Sequence, residues 1–198
     1  MTRSATISRR TGETDVELTL GLDGRGVGTH ATGVGFLAHM LDLLARHGRL
    51  DLDVKVSGDL HTGAHHTVED TGIVLGQALH EALGDRAGIA RYGHAVIPMD
   101  ESRAAASIDV SGRPFAAIAG FDRLPPGEIA GFGHEAAEEF FRAVASGARL
   151  TLHLELQAGT NAHHMIEACF KAFARALRAA VAVDPSETGV PSTKGTLT

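Results

Sequence analysis

The chain carries the pattern H-H-x-x-E twice. His65, His66 and Glu69 lie in "HTGAHHTVEDTG", and His163, His164 and Glu167 lie in "NAHHMIEACFKA", 98 residues further on (163 − 65). On a helix, positions i and i+4 share a face, whereas neighbours diverge by about 100°. His65 therefore meets Glu69, His163 meets Glu167, and His66 and His164 point elsewhere, so each helix turn can serve two sites. Imidazole with carboxylate is the ligand set of a divalent ion such as Mn, Fe or Zn. Two ligands are too few for a site. His39 lies 26 residues before His65 (65 − 39), and Glu139 lies 24 before His163 (163 − 139). They occupy matching places in two helical stretches and are the best additional ligands; His134, five residues from Glu139, is the fallback. The pattern predicts two metals in a pseudo-twofold arrangement, each drawing on both halves of the chain or on two subunits.

Basic residues beside turns or site helices could hold an anion: Arg91, Arg113 and Lys171. The segment "PSTKG" adds the hydroxyls of Ser192 and Thr193 and the ammonium of Lys194, a set able to bind phosphate. On spacing alone, each of these reads first as a solvated surface charge. The glycine-rich "GVGTHATGVGF" lacks the G-x-x-x-x-G-K-[ST] spacing of a nucleotide loop. The single cysteine, Cys169, excludes an intrachain disulfide and the usual cysteine-rich zinc sites, and it sits in an apolar stretch that predicts core packing.

The elements that must position these groups also repeat. "ETDVELTLGLDGRG" (13–26) and "ESRAAASIDVSGRP" (101–114) both begin with Glu, alternate apolar and polar residues, and reach Gly-Arg at the same offset; each predicts a half-buried strand and a bend. Helical spacing follows over 36–48 and 134–147, each ending at Gly. Strict alternation over 49–59 and 149–159 predicts strands with one wet face, and each H-H-x-x-E then opens a helix. The predicted fold is α+β, two internally duplicated half-domains, each a small mixed sheet with helices on one face. The expected division is 1–91, 92–183 and a tail over 184–198, with the join in the turn-rich 84–93. Of 198 residues, 43% are apolar and 21% charged, enough for a core and unlike a disordered chain. A net charge of −6 argues against nucleic acid as a partner. The N-terminal residues lack a signal-peptide pattern, and no apolar run is long enough to span a membrane, so a cytoplasmic location is expected.

"GVGFLAHML", "HHTVEDTGIVLGQAL", "MDES", "SGRPF", "NAHHMIEACFKAFARALR" and "PSTKGTL" together resemble imidazoleglycerol-phosphate dehydratase, a family of histidine biosynthesis, from about Arg9 to Leu197. The resemblance implies a ribosomal protein S5 domain 2-like duplication and a homo-oligomeric, twenty-four-subunit shell with sites at subunit interfaces. It implies a lyase that dehydrates imidazole glycerol phosphate to imidazole acetol phosphate, with two Mn ions per site binding the substrate as imidazolate. It assigns one ion to His39, His66, His163 and Glu167, and the other to His65, Glu69, His164 and the residue at 139. Glu13 resembles the acid/base glutamate, and Arg91, Arg113, Lys171, Ser192 and Lys194 match substrate-binding positions. Four positions depart from the family pattern: Ala38, Gly63 and Ala64 stand where an acid is usual, and Glu139 where some members have His. Loss of carboxylates beside ligating histidines weakens metal binding, so the alternative is a divergent metal-binding paralogue that has lost activity or takes a different phosphorylated azole.

Overall fold

In the computed structural model, residues 3–197 are described. Among them, one strand order occurs twice. In the first half, β1 (Ser4–Arg10), β2 (Thr14–Gly21), β3 (His30–Ala31) and β4 (Asp51–Gly58) form a sheet in the order β1-β2-β4-β3. In the second half, β5 (Tyr92–Met99), β6 (Ser102–Asp109), β7 (Phe115–Ala119) and β10 (Thr151–Ala158) form a sheet in the order β5-β6-β10-β7. In each sheet the first three strands in spatial order pair antiparallel and the last is parallel. Both sheets are thus mixed. A small hairpin, β8 (Glu128–Ile129) with β9 (Phe132–Gly133), precedes the third helix.

Each half adds two helices: α1 (Gly35–Gly48) and α2 (His65–Leu83) in the first, α3 (Ala136–Ala148) and α4 (Ala162–Ala180) in the second. Period-2 burial explains why the sheets need them. In β2, Val16, Leu18 and Leu20 are fully buried while Glu17 and Thr19 face outward, so each sheet has one apolar face to cover. α2 covers the first sheet and α4 the second, while α1 packs on α4 and α3 on α2. The helices of the two halves therefore share one continuous core. Phe140 and Phe141 of α3 stack with Phe170 and Phe173 of α4 at centroid separations of 4.7–5.5 Å, the tilted geometry favoured by aromatic quadrupoles.

Small residues set how closely α2 and α3 approach. A Cβ at Gly76 would lie 2.6 Å from the Val144 carbonyl oxygen, and one at Gly147 would lie 2.8 Å from the Ile73 carbonyl oxygen. A helix-interior glycine costs about 1 kcal/mol relative to alanine, offset here by backbone contact that any larger residue would abolish. α1 and α3 both end on an arginine in the left-handed conformation, Arg49 (φ 57°) and Arg149 (φ 51°). The two helices are therefore in register at an offset of 100 residues (149 − 49), which places Glu139 where the first half has His39. Cys169 lies in the core, and burial pushes its thiol far above its ordinary range, as its apolar setting predicts.

Candidate metal centre

Three of the predicted ligands converge in one chain. His39 Nε2 lies 3.3 Å and His163 Nε2 3.1 Å from Glu167 Oε2, and all three ligand atoms fall within 4.8 Å of one another. Two helices from different halves build this group. His39 projects from α1, and the i, i+4 pair His163 and Glu167 projects from the first turns of α4, which α1 crosses. Phe36, one turn before His39, packs edge-on against the His163 ring with centroids 5.0 Å apart, which restricts its rotation. Glu167 is 6% exposed. Its other oxygen accepts a hydrogen bond from Lys171 Nζ at 2.5 Å. Burial raises the pKa of this carboxyl, but the Lys171 hydrogen bond and charge, with the bonds from His39 and His163, outweigh it and leave the carboxyl below its ordinary value. A charged carboxylate facing two imidazole nitrogens suits a borderline divalent cation.

The remaining predicted ligands stand apart from this group within one chain. His65 Nε2 is 3.7 Å from Glu69 Oε2 on the exposed start of α2, as the i, i+4 spacing predicts. His66 turns the other way: its Nδ1 lies 3.0 Å from Asp59 Oδ2, and its Nε2 is 3.8 Å from Glu13 Oε1. His164 is held at Nδ1 by Glu101 Oε2, 2.8 Å away. Glu139 lies in the first turn of α3 and borders a hollow of about 530 Å³ with His134. His134 falls just before α3 instead of opening it, because its Nδ1–H donates to the Pro125 carbonyl at 2.6 Å and ties it to the preceding loop. Among the described residues, His39, His163 and Glu167 are the one group close enough to share an ion. His66 does not join them in this chain, nor do His65, Glu69, His164 and Glu139 gather into a second cluster.

The carboxylates beside His66 and His164 perturb both rings in the same direction. The Asp59 hydrogen bond raises the His66 pKa, and the Glu101 hydrogen bond raises that of His164. Reciprocally, His66 lowers Asp59, and His164 with the Asn161 and Thr160 amides holds Glu101 far below the ordinary carboxylate range. Neither carboxylate stands out in the sequence; the signal available was only that Glu101 and Glu13 open matching strands.

The predicted anion contacts divide into two places. Arg91, Arg113, Ser192, Thr193 and Lys194 line one cavity of about 730 Å³. Lys171 instead sits on α4 beside the metal group, paired to Glu167. Arg91 adopts a left-handed backbone (φ 70°) at the entrance to β5. Its Nε–H donates to Asp109 at 2.8 Å, its Nη1 donates to the Pro191 carbonyl at 2.7 Å, and its guanidinium lies 4.7 Å from the Tyr92 ring centroid. The Asp109 hydrogen bond raises the Arg91 pKa further. Arg91 thus carries the tail segment at Pro191, which brings Ser192 and Lys194 to the same cavity wall. A concave site with two guanidiniums, an ammonium and hydroxyls suits a phosphate.

A family model for imidazoleglycerol-phosphate dehydratase matches residues 32–177, the stretch that contains both H-H-x-x-E motifs. The chain belongs to the imidazoleglycerol-phosphate dehydratase family. Proteins of that name from Rhodopseudomonas palustris and Methylorubrum populi are 57% identical over 197 residues and 56% identical over 196 residues, covering 98% of this chain and 98% and 100% of theirs. The crystal structure of the Staphylococcus aureus dehydratase superposes with a TM-score of 0.81 at 41% identity, over 91% of this chain and 99% of that one. The structure from Pyrococcus furiosus does so at the same TM-score and 34% identity, over 96% of this chain and 100% of that one. The α+β architecture with two small mixed sheets is therefore that of the family. Among the described residues, no helix is long and apolar enough to cross a membrane.

Proposed function

We propose that this chain is a metal-dependent hydro-lyase of histidine biosynthesis in the cytoplasm, dehydrating imidazole glycerol phosphate to imidazole acetol phosphate with two manganese ions per active site. The observation that carries the reading is the convergence of His39, His163 and Glu167 from different halves of the chain. Nothing in an ordinary salt-bridged surface requires two imidazole Nε2 atoms to face one buried carboxylate oxygen. The donor set fits a divalent ion: two imidazole nitrogens, a carboxylate that Lys171 helps hold below its ordinary pKa, and one exposed flank where His39 keeps 43% of its side-chain surface. The remaining five candidate ligands are presented at surfaces of the same chain, and copies of the chain in a homo-oligomeric shell would complete both sets. His39, His66, His163 and Glu167 would hold one ion, and His65, Glu69, His164 and Glu139 the other. The reading also divides the chain into half-repeats 1–91 and 92–183 with a substrate-binding tail over 184–198.

Bound ions would act as Lewis acids and as a template for the imidazole ring. The protein supplies the rest. The proton to be moved sits on a carbon without an adjacent carbonyl, so an ordinary base alone would fail, and a positioned acid/base would act together with the ring activation that bound ions would supply. Glu13 would suit that role: its carboxylate lies 3.8 Å from His66 Nε2 and its side chain is 56% exposed. Arg91, Arg113, Ser192 and Lys194 would grip the phosphate in their shared cavity, with Lys171 nearer the metal group.

The paralogue reading drew on missing acids at Ala38 and Gly63. At Gly63 the backbone has φ 112°, a conformation that an Asp would adopt only with strain, and Asp59 already supplies a carboxylate to His66. Glu13→Gln tests the assignment: turnover of imidazole glycerol phosphate with Mn should fall by roughly 100- to 10,000-fold while metal content stays at two ions per chain. Retained turnover rejects the role of Glu13. No turnover by the unaltered chain with Mn present favours the paralogue.

A further inference from the structure

His66 and His164 occupy the same place in the two repeats, yet the carboxylates that hold them come from different places. The strands β4 and β10 correspond at an offset of 100 (151 − 51), so Asp59, one residue past β4, matches Gly159. The strands β2 and β6 correspond at an offset of 88 (102 − 14), so Glu101 matches Glu13. In the first half Asp59 serves the histidine and Glu13 has no hydrogen bond to its carboxylate among the described residues. In the second half position 159 has no carboxylate and Glu101 serves the histidine.

The local backbone explains the exchange. The β4–β2 ladder runs regularly to Thr14 opposite Gly58, whereas the β10–β6 ladder slips by one residue between Leu156 and Ala158. Beyond that bulge Gly159 has φ 152°, and a Cβ there would lie 2.3 Å from Met165 Cγ and 2.5 Å from Ser102 Oγ. No side chain fits at 159. Glu101 reaches across instead, and its two oxygens divide the work. Oε1 is anchored by the amides of Asn161 at 2.9 Å and Thr160 at 3.2 Å and by Ser102 Oγ at 3.0 Å. Oε2 is left to meet His164 Nδ1. Asp59 is likewise steadied, by Thr62 Oγ1 at 3.1 Å and by its own amide, which donates to the Glu13 carbonyl at 3.0 Å.

We infer that Asp59 and Glu101 are positioning residues: each carboxylate accepts Nδ1–H of His66 or His164, selecting the tautomer whose Nε2 lone pair is free for a cation. An ionised carboxylate can only accept, so the proton must sit on Nδ1. Ligating histidines are commonly oriented in this way by an acceptor on the other ring nitrogen. The same arrangement releases Glu13. Because Asp59 takes the orienting role in the first half, the glutamate that its partner repeat uses for this purpose is left available for proton transfer.

The inference rests on the two-metal reading, in which His66 and His164 belong to different ions. The test is equilibrium dialysis of Mn against the full chain in its native assembly, with metal quantified by mass spectrometry and assembly checked by light scattering. Asp59→Ala should weaken one of two ions about 10- to 100-fold and leave the other unchanged. Glu101→Ala should weaken the other ion by a similar factor, and the double variant both. Asp59→Asn and Glu101→Gln retain an acceptor oxygen and should restore most of the affinity; should the alanine variants fail to assemble, these amide variants should still show a smaller, site-selective loss. Two ions bound with unaltered affinity in all assembled variants overturns the positioning role. Failure of the unaltered chain to bind Mn overturns the metal reading itself and the positioning role with it, a result distinguishable because it appears before any substitution is made.

Discussion

The two halves share strand order and helix packing but differ where each second helix begins. In the first, residues 59–64 form a longer connection containing a 3-10 turn over Leu60–Thr62, and α2 starts after Ala64 without a side-chain cap. In the second, the connection is shorter, and Asn161 Oδ1 accepts the amides of His163 at 2.9 Å and His164 at 3.4 Å. A further difference lies beneath the motif. Asp70 in α2 is paired to Arg9 Nη1 at 2.7 Å and accepts from the Thr14 hydroxyl. The matching position in α4 (70 + 98) is Ala168, which is fully buried. The two halves thus share a framework of strands and helices and differ in the loops at the helix N-termini, where Glu101 is hydrogen-bonded to His164 and the matching Glu13 has no hydrogen bond to its carboxylate among the described residues.

The largest expected effect separates those two glutamates. Glu13→Gln should reduce turnover by roughly 100- to 10,000-fold, the usual span for a lost acid/base group. Glu101→Gln, assayed at saturating Mn, should reduce it by less than about tenfold. Steady-state kinetics on both variants would erase the distinction if the losses were equal.

Next comes the pairing of buried Asp70 with half-buried Arg9 in the first half. Asp70→Ala removes the acceptor of Arg9 and of the Thr14 hydroxyl and should cost about 2 kcal/mol, read as a lower urea midpoint at constant m-value. The converse change, Ala168→Asp, buries a carboxylate without a partner and should be at least as destabilising, on the order of 3 kcal/mol. A tolerated Ala168→Asp would show that the halves are more interchangeable than their packing implies.

The helix cap should matter less. Asn161→Ala removes the acceptor from two amides of α4 and should cost about 1 kcal/mol. Because α2 has no side-chain cap, the loss should be confined to the second half, and hydrogen exchange at the His163 and His164 amides would localise it.

The smallest effect is on pH. In metal-free protein the His66 and His164 pKa values lie above the ordinary 6.5, so their contribution is complete below 6.5 and is lost as pH rises through the raised values. Glu101 lies below its ordinary 4.5, so its contribution is present above 4.5 and is lost as pH falls through the depressed value. The paired ions therefore stabilise the fold between about 4.5 and the raised imidazole values. Thermal unfolding across that window should flatten in the Asp59→Asn, Glu101→Gln double variant.

Much of the framework was legible because it is periodic. The alternation over 49–59 and 149–159 corresponds to β4 and β10, and the helical spacing over 36–48 to α1. The stretch 134–147 starts two residues early, since the fold spends His134 on the Pro125 carbonyl. The sequence assigns no strand to β1 or β5, which pair as outer strands of their sheets, nor to β3 and β7, which are short and join their sheets only by parallel pairing to a distant strand; no local pattern announces that. The i, i+4 pairing of His65 with Glu69 and of His163 with Glu167 could be read from spacing. The partners of the other histidines could not: His39 reaches Glu167 across 128 residues, and His164 reaches Glu101 across 63.

By itself, then, the order of residues settled the duplicated α+β plan, the repeated H-H-x-x-E motif and which histidine shares a face with which glutamate, because these follow from the periods of a strand and a helix. Only tertiary packing decided that α1 crosses α4 to bring His39 to His163 and Glu167, that Arg91 carries the tail to Arg113, and that a bulge in β10 hands His164 to Glu101. Contacts of that kind depend on how whole elements lie against one another, and side-chain spacing along the chain carries no record of it.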